Sequence, residues 1–598
     1  MKSKVSQIRL KNGIIRREHN VYLFLGFYFI LVFSYFYWFA GYVLFFQEHQ
    51  SLFVFSNSFI HDYLVKPGGL LDLAGKFLTQ FYINNLAGSI ILASVLTITG
   101  FILFLSGKRI KSDWTFSFIP ALVPPLLILL IQTHYYHLMV YNLGFLLVVS
   151  WFFITISINN KRVRYLLPLL YPVFYYVAGA YAFVFLGLYI VYSLVFEEGK
   201  EKYIIPGLLL ILAFISFLLS KDVLFIQPVS QLLTSPMPDV NDRTHKALLL
   251  ILIISVVFYP LIIRLTRRKT TRKPGKGIIE LLSGILLFSA TIFLLIIRFN
   301  TQTARVINIE ELAFRGKWNE LISYQEKYPS ENLIGQYFYN IALSETDQLC
   351  DRLFNGRQDF GTAALILEWT SDHLNWGSYS YYTTGLINEA RRWAYEEMVV
   401  YGIRPQNMEM LVKTSLLNGN YRLTKEYTGI LEKTLFYRKW ARKYEKMAED
   451  TSLIRSDNEL GNKLRILPRD NFFIYLESPE NNLPSLVDGN PENRRAFEYM
   501  MSWLMLTKDV EILVDNIRLM KNMGYTRIPR HIEEAILIYY NSTGKYPDMG
   551  GLTISNETRL RFGQYFTAFV AARQNPSLLE QKMQADFSNT FWYYYQFK

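Results

Sequence analysis

Hydrophobic residues are gathered into long runs in the first half of the chain, and short polar segments separate these runs. A helix needs about 20 apolar residues to cross a bilayer core, and most of the runs approach that length. The pattern predicts an all-α fold that begins with a polytopic membrane domain, residues 1–299. About nine spans are predicted, at residues 21–46, 86–106, 115–132, 138–158, 165–178, 181–196, 203–219, 247–263 and 278–297.

The least regular part of this domain is the apolar stretch 165–196, which fits one tilted span or two short ones. Two arms that turn at residues 178–180 keep the basic loops on one side of the membrane, and a single span does not. The arms have 14 and 16 residues, which is short for a bilayer about 30 Å thick. They predict a re-entrant hairpin or a hairpin in a locally thinned bilayer.

The loop between the last two runs fixes the predicted orientation. From Arg264 to Lys276 it contains seven Lys or Arg residues and no acid. Loops this basic remain on the cytoplasmic side of a membrane. We therefore expect a bacterial inner (plasma) membrane protein with a cytoplasmic N-terminus. The part of the chain after residue 299 is expected in the periplasm or outside the cell.

The net charge of +13 arises in the predicted membrane domain. Residues 1–299 carry 27 Lys and Arg against 12 Asp and Glu, and the rest of the chain carries 35 against 37. Because the excess lies in short loops, it sets orientation, and we expect the lipid bilayer as a partner and no nucleic acid. The single cysteine, Cys350, excludes an intramolecular disulfide.

The first outer loop, residues 47–85, is longer than a connection needs. Apolar residues recur at helical spacing across 70–81, and the breaker sequence Pro67-Gly68-Gly69 precedes them. This predicts two amphipathic helices in the membrane interface, joined by a turn. The loop also contains acidic and basic residues that could carry chemistry.

A first span followed by a long outer loop with interfacial helices and an acid resembles the GT-C class of membrane glycosyltransferases. The resemblance implies sugar transfer from a polyprenyl phosphate at the outer face, with Asp62, or in second place Glu48, as catalytic base. It implies Lys66 and Arg243 as groups that neutralise the donor phosphate. No cofactor is expected, except a divalent metal if the GT-C resemblance holds. The other interpretation of Asp62 is an N-cap or a solvated interfacial acid.

Two histidines at the outer end of the third run, His134 and His137, are three residues apart. That spacing can place two metal ligands on one helical face, but the sequence offers no third ligand. His and Tyr residues also gather at membrane interfaces because they are amphipathic. The sequence therefore predicts no metal site.

The second half of the chain has a helical pattern throughout. The segments Gly316-Lys317-Trp318 and Gly419-Asn420-Tyr421 resemble the turns between paired helices of tetratricopeptide-like repeats. We expect a repeat-like subdomain at 300–450, a looser linker or lid at 451–490 and a helical subdomain at 491–598. Because no strict 34-residue period is found, an irregular all-α domain is the alternative.

As a whole, the chain resembles an uncharacterised bacterial family of unknown function that joins such spans to a C-terminal helical domain. The stretch Leu416–Ala448 carries most of this resemblance, which implies no activity. Two functional hypotheses follow. One is a GT-C-like glycosyltransferase, and the other is a non-enzymatic membrane scaffold whose external helices bind envelope proteins.

Overall fold

The computed structural model describes residues 21–110, 118–265, 276–470, 472–573 and 576–598. Within these ranges the regular structure is helical and contains no strand, so the predicted all-α class is confirmed. Most of the basic loop, residues 266–275, lies outside the described residues, as do the first three residues of the predicted span 115–132.

The chain divides into two compact units. Residues 1–299 together with 433–436 form the N-terminal unit, and residues 300–432 with 437–598 form the C-terminal unit. The described helices of the N-terminal unit are α1 Val21–Phe39, α2 Gly41–His49, α3 Asn57–Leu64, α4 Gly69–Thr79, α5 Asn85–Ile110, α6 Phe118–Gln132, α7 Met139–Ser157, α8 Lys161–Leu166, α9 Tyr171–Ala178, α10 Tyr181–Phe196, α11 Glu201–Leu219, α12 Val229–Thr234, α13 Arg243–Val257, α14 Tyr259–Leu265 and α15 Lys276–Arg298.

Five of the described helices are long and apolar enough to cross a membrane, namely α1, α5, α7, α11 and α15. The α11 span includes a π-helical extension to Leu224. The pair α13 and α14 would make a sixth, but it bends by 63°. The described residues thus contain five or six candidate spans, and not clearly nine, because α6, α9 and α10 are apolar but short.

The predicted interruption within 165–196 is confirmed. Gly179 separates α9 from α10 with a φ of 59°, a backbone conformation that L side chains rarely adopt. A Cβ at this position would lie 2.5 Å from the Ser235 carbonyl oxygen. The two helices predicted in the first outer loop are also confirmed as α3 and α4, and the turn between them contains Gly68 with a φ of 77°.

Close packing of α7 against α10 depends on a small residue. A Cβ added to Gly144 on α7 would lie 2.3 Å from the ring of Tyr181 on α10. Since glycine leaves this space open, the Tyr181 ring lies against α7 and its hydroxyl donates to the Tyr141 carbonyl oxygen at 3.1 Å. Helix α7 also packs against α5, and α6 packs against α13. These contacts bring the adjoining ends of α6, α7 and α13 together.

The C-terminal unit is built from short helices. Those described are α16 Thr301–Phe314, α17 Trp318–Lys327, α18 Leu333–Glu345, α19 Leu349–Arg352, α20 Ser378–Thr384, α21 Ile387–Tyr401, α22 Pro405–Leu417, α23 Tyr421–Leu431, α24 Arg438–Glu449, α25 Ser452–Ser456, α26 Asn458–Ile466, α27 Asn482–Gly489, α28 Arg494–Thr507, α29 Val510–Asn516, α30 Leu519–Asn522, α31 Arg530–Thr543, α32 Asn556–Ala572, α33 Pro576–Phe587 and α34 Phe591–Phe597.

Two helical hairpins of this unit turn where the sequence predicts. Gly316 lies between α16 and α17 with a φ of 65°, and Gly419 lies between α22 and α23 with a φ of 70°. These turns do not by themselves establish a tetratricopeptide-like repeat. The aromatic C-terminus forms α34, where the indole Nε1 of the buried Trp592 donates to the Glu534 carbonyl oxygen at 2.9 Å.

Candidate functional site

The residue expected to be the catalytic base, Asp62, lies near the end of α3 with an exposed side chain. It does not cap the helix, because Ser56 occupies that position and accepts from the Phe59 backbone N–H at 3.3 Å. The position of Asp62 is that of a solvated acid.

The two expected phosphate-binding residues lie on separate elements. Lys66 Nζ lies 3.4 Å from the Asp72 carboxylate and 5.0 Å from the centre of the Tyr63 ring. Arg243 is the exposed first residue of α13. Within the described residues, no hydrogen bond or ion pair joins Asp62, Lys66 and Arg243 to one another.

The second candidate base is in a different environment. Glu48 lies on α2, the short helix that follows the break after α1, and only 2% of its surface is exposed. Its Oε2 lies 2.9 Å from Nδ1 of the adjacent His49. The preceding residue, Gln47, is fully buried and donates from Nε2 to the backbone carbonyl oxygens of Tyr135 and His137, at 3.2 and 2.9 Å. Helix α2 is thereby attached to the loop between α6 and α7.

That loop leads into a buried chain of polar side chains. Asn142 Nδ2 donates to Gln132 Oε1 at 2.6 Å, and Asn142 Oδ1 lies 3.1 Å from His137 Nε2. His137 Nδ1 lies 3.1 Å from His245 Nε2. All four side chains are at most 1% exposed. We call these four residues the polar chain.

The hydrogen bond from Asn142 to Gln132 fixes the direction of the other hydrogen bonds in the polar chain. Because the Asn142 amide nitrogen faces Gln132, its oxygen must accept from His137 Nε2–H. A neutral His137 then accepts at Nδ1 from His245 Nε2–H, which leaves Nδ1 of a neutral His245 as an acceptor. No described protein atom donates to that buried Nδ1. The polar chain therefore ends in an open hydrogen-bond acceptor.

Asp242, His134 and Arg298 lie in the neighbourhood of His245 and act electrostatically on it. Asp242 caps α13 by accepting from the backbone N–H groups of Thr244 and His245, at 3.1 and 3.0 Å. The His134 ring lies 5.5 Å from the His245 ring, measured between centres. Arg298, at the end of α15, donates from Nε to Thr133 Oγ1 at 3.4 Å.

The environment of the two loop histidines disfavours their charged forms. Burial lowers the pKa of His137 well below its ordinary value, and the neighbouring His245 lowers it further against the opposing hydrogen bond to Asn142. Burial also lowers the pKa of His134, although Asp242 opposes the change. Neutral imidazoles can act as hydrogen-bond donors, acceptors and proton carriers near physiological pH.

The two loop histidines were considered from the sequence as a pair of metal ligands. Across the described parts of the chain, no group of three or more His, Cys, Asp or Glu side chains is arranged to hold a metal ion. Both ring nitrogens of His137 lie within hydrogen-bond distance of a protein partner. The pair of His134 and His137 considered from the sequence therefore does not form a two-ligand site here.

Sequence reasoning identified Glu48 and the two loop histidines, but it missed Gln132, Asn142 and His245. One signal was available. Each of the three is a polar residue inside or beside an apolar run, and a polar side chain buried among apolar helices is a candidate functional residue. What the sequence could not show is that these residues meet.

The fold and the polar chain define an all-α protein with several helices able to cross a membrane and a buried polar site among them. This chain belongs to the family of unknown function DUF6057, which matches residues 17–598. Neither the curated proteins nor the solved structures gave a match to it.

Proposed function

We propose that this protein is a GT-C-like glycosyltransferase that moves a sugar from a polyprenyl phosphate to an acceptor hydroxyl, with Glu48 as the base. The observation that carries the proposal is the buried Glu48 carboxylate beside His49, on the helix that follows the first span. Burying an ionisable group among apolar helices is costly, and such groups usually have a functional role.

The chemistry needs a base, a leaving phosphate and a cation. Glu48 takes the proton from the acceptor hydroxyl as its oxygen bonds to the anomeric carbon. The bond from that carbon to the phosphate oxygen breaks, and the polyprenyl phosphate leaves with the electron pair. Arg298 can stabilise the phosphate charge, since its guanidinium lies beside Thr133, next to the loop that contains His134.

We place Glu48 ahead of Asp62 because of burial. A base in a water-excluded site competes with less solvent for the acceptor proton, whereas an exposed carboxylate stays hydrated. The same reasoning puts Arg298 ahead of Lys66, which is close to Asp72, and of the exposed Arg243.

The proposal includes the predicted membrane topology. Nine crossings result if α6, α9, α10 and the bent pair α13–α14 are added to the five longer helices. The N-terminus is then cytoplasmic, and the C-terminal unit lies outside a bacterial inner membrane. There its helical hairpins would act as a tetratricopeptide-like platform that positions the acceptor. No resident cofactor is part of the proposal.

A non-enzymatic scaffold is the second candidate function. The observation in its favour is the exposed position of Asp62, the acid that the GT-C resemblance places first. In this alternative the helices of the C-terminal unit bind envelope proteins, and the polar chain serves only to join α6, α7 and α13.

Measuring envelope glycans distinguishes the glycosyltransferase from the non-enzymatic scaffold. A strain that lacks the gene is complemented with the wild type, Glu48→Gln, Asp62→Asn or the matched control Glu198→Gln, whose carboxylate is exposed. We expect Glu48→Gln to reduce one glycan by about 10²- to 10⁴-fold, the usual contribution of a general base, and the other two variants to restore it.

Two results would contradict the proposal. If deletion of the gene leaves every envelope glycan unchanged, glycosyl transfer is wrong and the scaffold is favoured. If Asp62→Asn abolishes the glycan and Glu48→Gln does not, the base is Asp62. Immunoblotting of membranes confirms that each variant is present at the wild-type level.

A further inference from the structure

Helix α24 of the C-terminal unit carries four basic residues on one face. Lys439, Arg442, Lys443 and Lys446 follow the i, i+3, i+4, i+7 spacing that places side chains side by side. All four line a cavity of about 510 Å³ that is open to the surface. The remaining lining residues are Met447, Leu453, Ser456 and Asp457.

Only part of this charge is balanced within the protein. Lys443 Nζ lies 2.8 Å from Asp457, and Arg442 Nε lies 3.2 Å from Glu432. In the described chain, no carboxylate forms an ion pair with Lys439 or Lys446. Both ammonium groups are therefore available to an anion from outside.

The basic face belongs to a helix whose other side is packed against the protein. The opposite face of α24 is buried through Ala441, Tyr444 and Ala448, and the Tyr444 ring stacks on Trp440 with 4.1 Å between ring centres. Asp457 is fixed as the cap of α26, where it accepts from two backbone N–H groups at 3.1 Å. Packing thus sets the position of the helix that carries the cations.

The cavity also has an apolar side. Leu453 lies beside the cations with 39% of its surface exposed, and the buried Met447 forms part of the wall. A free phosphate ion has no apolar part that could pack against this wall. The glycerol and first acyl carbons of a phospholipid can pack against it. Residues 433–436 belong to the unit that contains the apolar helices, and α24 begins two residues later, at Arg438.

We propose that the basic cavity of α24 binds the phosphate of an anionic phospholipid headgroup, with Lys439 and Lys446 as the principal contacts. The interaction attaches this helix to a membrane surface. It is separate from glycosyl transfer and does not require it.

The single, buried cysteine makes a direct test possible. Cys350 is 1% exposed, so Ser456→Cys introduces one accessible thiol at the rim of the cavity. The full chain is labelled there with an environment-sensitive fluorophore, and the unsubstituted protein shows the background. The labelled protein is reconstituted in nanodiscs whose fraction of phosphatidylglycerol in phosphatidylcholine is varied.

We expect the emission to shift to the blue as phosphatidylglycerol increases and to stay constant in pure phosphatidylcholine. Each basic residue near an anionic surface contributes to binding, so Lys439→Gln with Lys446→Gln should weaken the response by about 30-fold. The matched control is Lys521→Gln with Lys545→Gln, which removes two exposed lysines from other elements and should change nothing.

Three outcomes would overturn the inference. The first is equal emission in neutral and anionic nanodiscs, and the second is an unchanged response in the Lys439 and Lys446 variant. The third is the same shift with inorganic phosphate in pure phosphatidylcholine, which would mean that the cavity binds free phosphate. Because none of these readouts involves glycans, the result is independent of the proposed enzyme activity.

Discussion

Breaking the polar chain at its central contact should destabilise the N-terminal unit by a calculable amount. In His245→Leu, His137 Nδ1 loses its donor while it stays fully buried. An unsatisfied buried polar atom costs about 1–3 kcal/mol. In His137→Leu, both His245 Nε2 and Asn142 Oδ1 lose their partner, so the expected loss is about 2–6 kcal/mol.

The double variant tests whether the two imidazoles interact. With both histidines replaced, only Asn142 Oδ1 remains without its partner. The double variant should therefore lose less stability than the two single variants lose together. Two orphaned atoms fewer than the sum correspond to a coupling energy of about 2–6 kcal/mol, whose lower end lies within the range of up to about 3 kcal/mol seen for residues in contact. The structural reason is the 3.1 Å separation between the ring nitrogens of His137 and His245.

Equilibrium unfolding of the full-length protein in detergent, followed by tryptophan fluorescence, measures these differences. His61→Leu is the matched control because His61 is exposed on α3, and its effect should stay within about 0.5 kcal/mol. Strict additivity of the two single variants would refute the contact, since residues without a shared interaction add within about 0.3–0.5 kcal/mol.

Two further predictions concern buried acids of the C-terminal unit. Glu345→Gln removes the carboxylate that lies 2.5 Å from Nζ of Lys463, a residue that is 1% exposed. The free energy of unfolding should fall by about 3–5 kcal/mol, because a buried charge loses its partner. In the control Glu492→Gln, which changes an exposed carboxylate, the loss should be less than about 1 kcal/mol. Burial raises the pKa of Glu397 to about 8 against the opposing hydrogen bond from Gln406. The folded state therefore keeps a proton that the unfolded chain has lost, and stability should fall by about 1.4 kcal/mol per pH unit as the pH rises from about 4.5 to 8. Glu397→Gln should remove that part of the pH dependence. If the stabilities of the wild type and the variant change equally with pH, Glu397 is ionised in the folded state and the prediction is wrong.

Local signals in the sequence predicted local structure well. The turns at Gly179, Gly316 and Gly419 follow from the ability of glycine to adopt positive φ, which is a property of the residue itself. The number of spans was less predictable, because hydropathy does not show that α6, α9 and α10 are short helices. Nor does it detect the break at Ala40, which shortens the first span, or the 63° bend after Val257. Both interruptions occur inside apolar runs, where tertiary packing decides the backbone conformation.

The candidate site could be predicted only in part, for a related reason. Glu48 could be found because it is an acid at the start of the first outer loop, and His137 because it lies three residues from His134 at the outer end of a predicted span. The partner His245 is 108 positions away from His137, and no periodicity connects the two. Their contact depends on α13 packing against α6, which a single sequence does not reveal.

The unpaired atoms of the polar chain favour a binding role over a purely structural one. A hydrogen-bonded contact between helices stabilises the fold most when every buried donor and acceptor is paired. Each unpaired group costs about 1–3 kcal/mol of stability. Here His245 Nδ1, Gln132 Nε2 and the adjoining Gln47 Oε1 are buried without a hydrogen-bond partner among the described protein atoms. Two acceptors and one donor match what a hydroxylated ligand supplies. Replacing Gln132 by Leu leaves Asn142 Nδ2 without its acceptor, so stability should fall by about 1–3 kcal/mol in either case. If the chain only joins helices, the envelope glycans should not change at equal protein level; if it binds the acceptor, they should change.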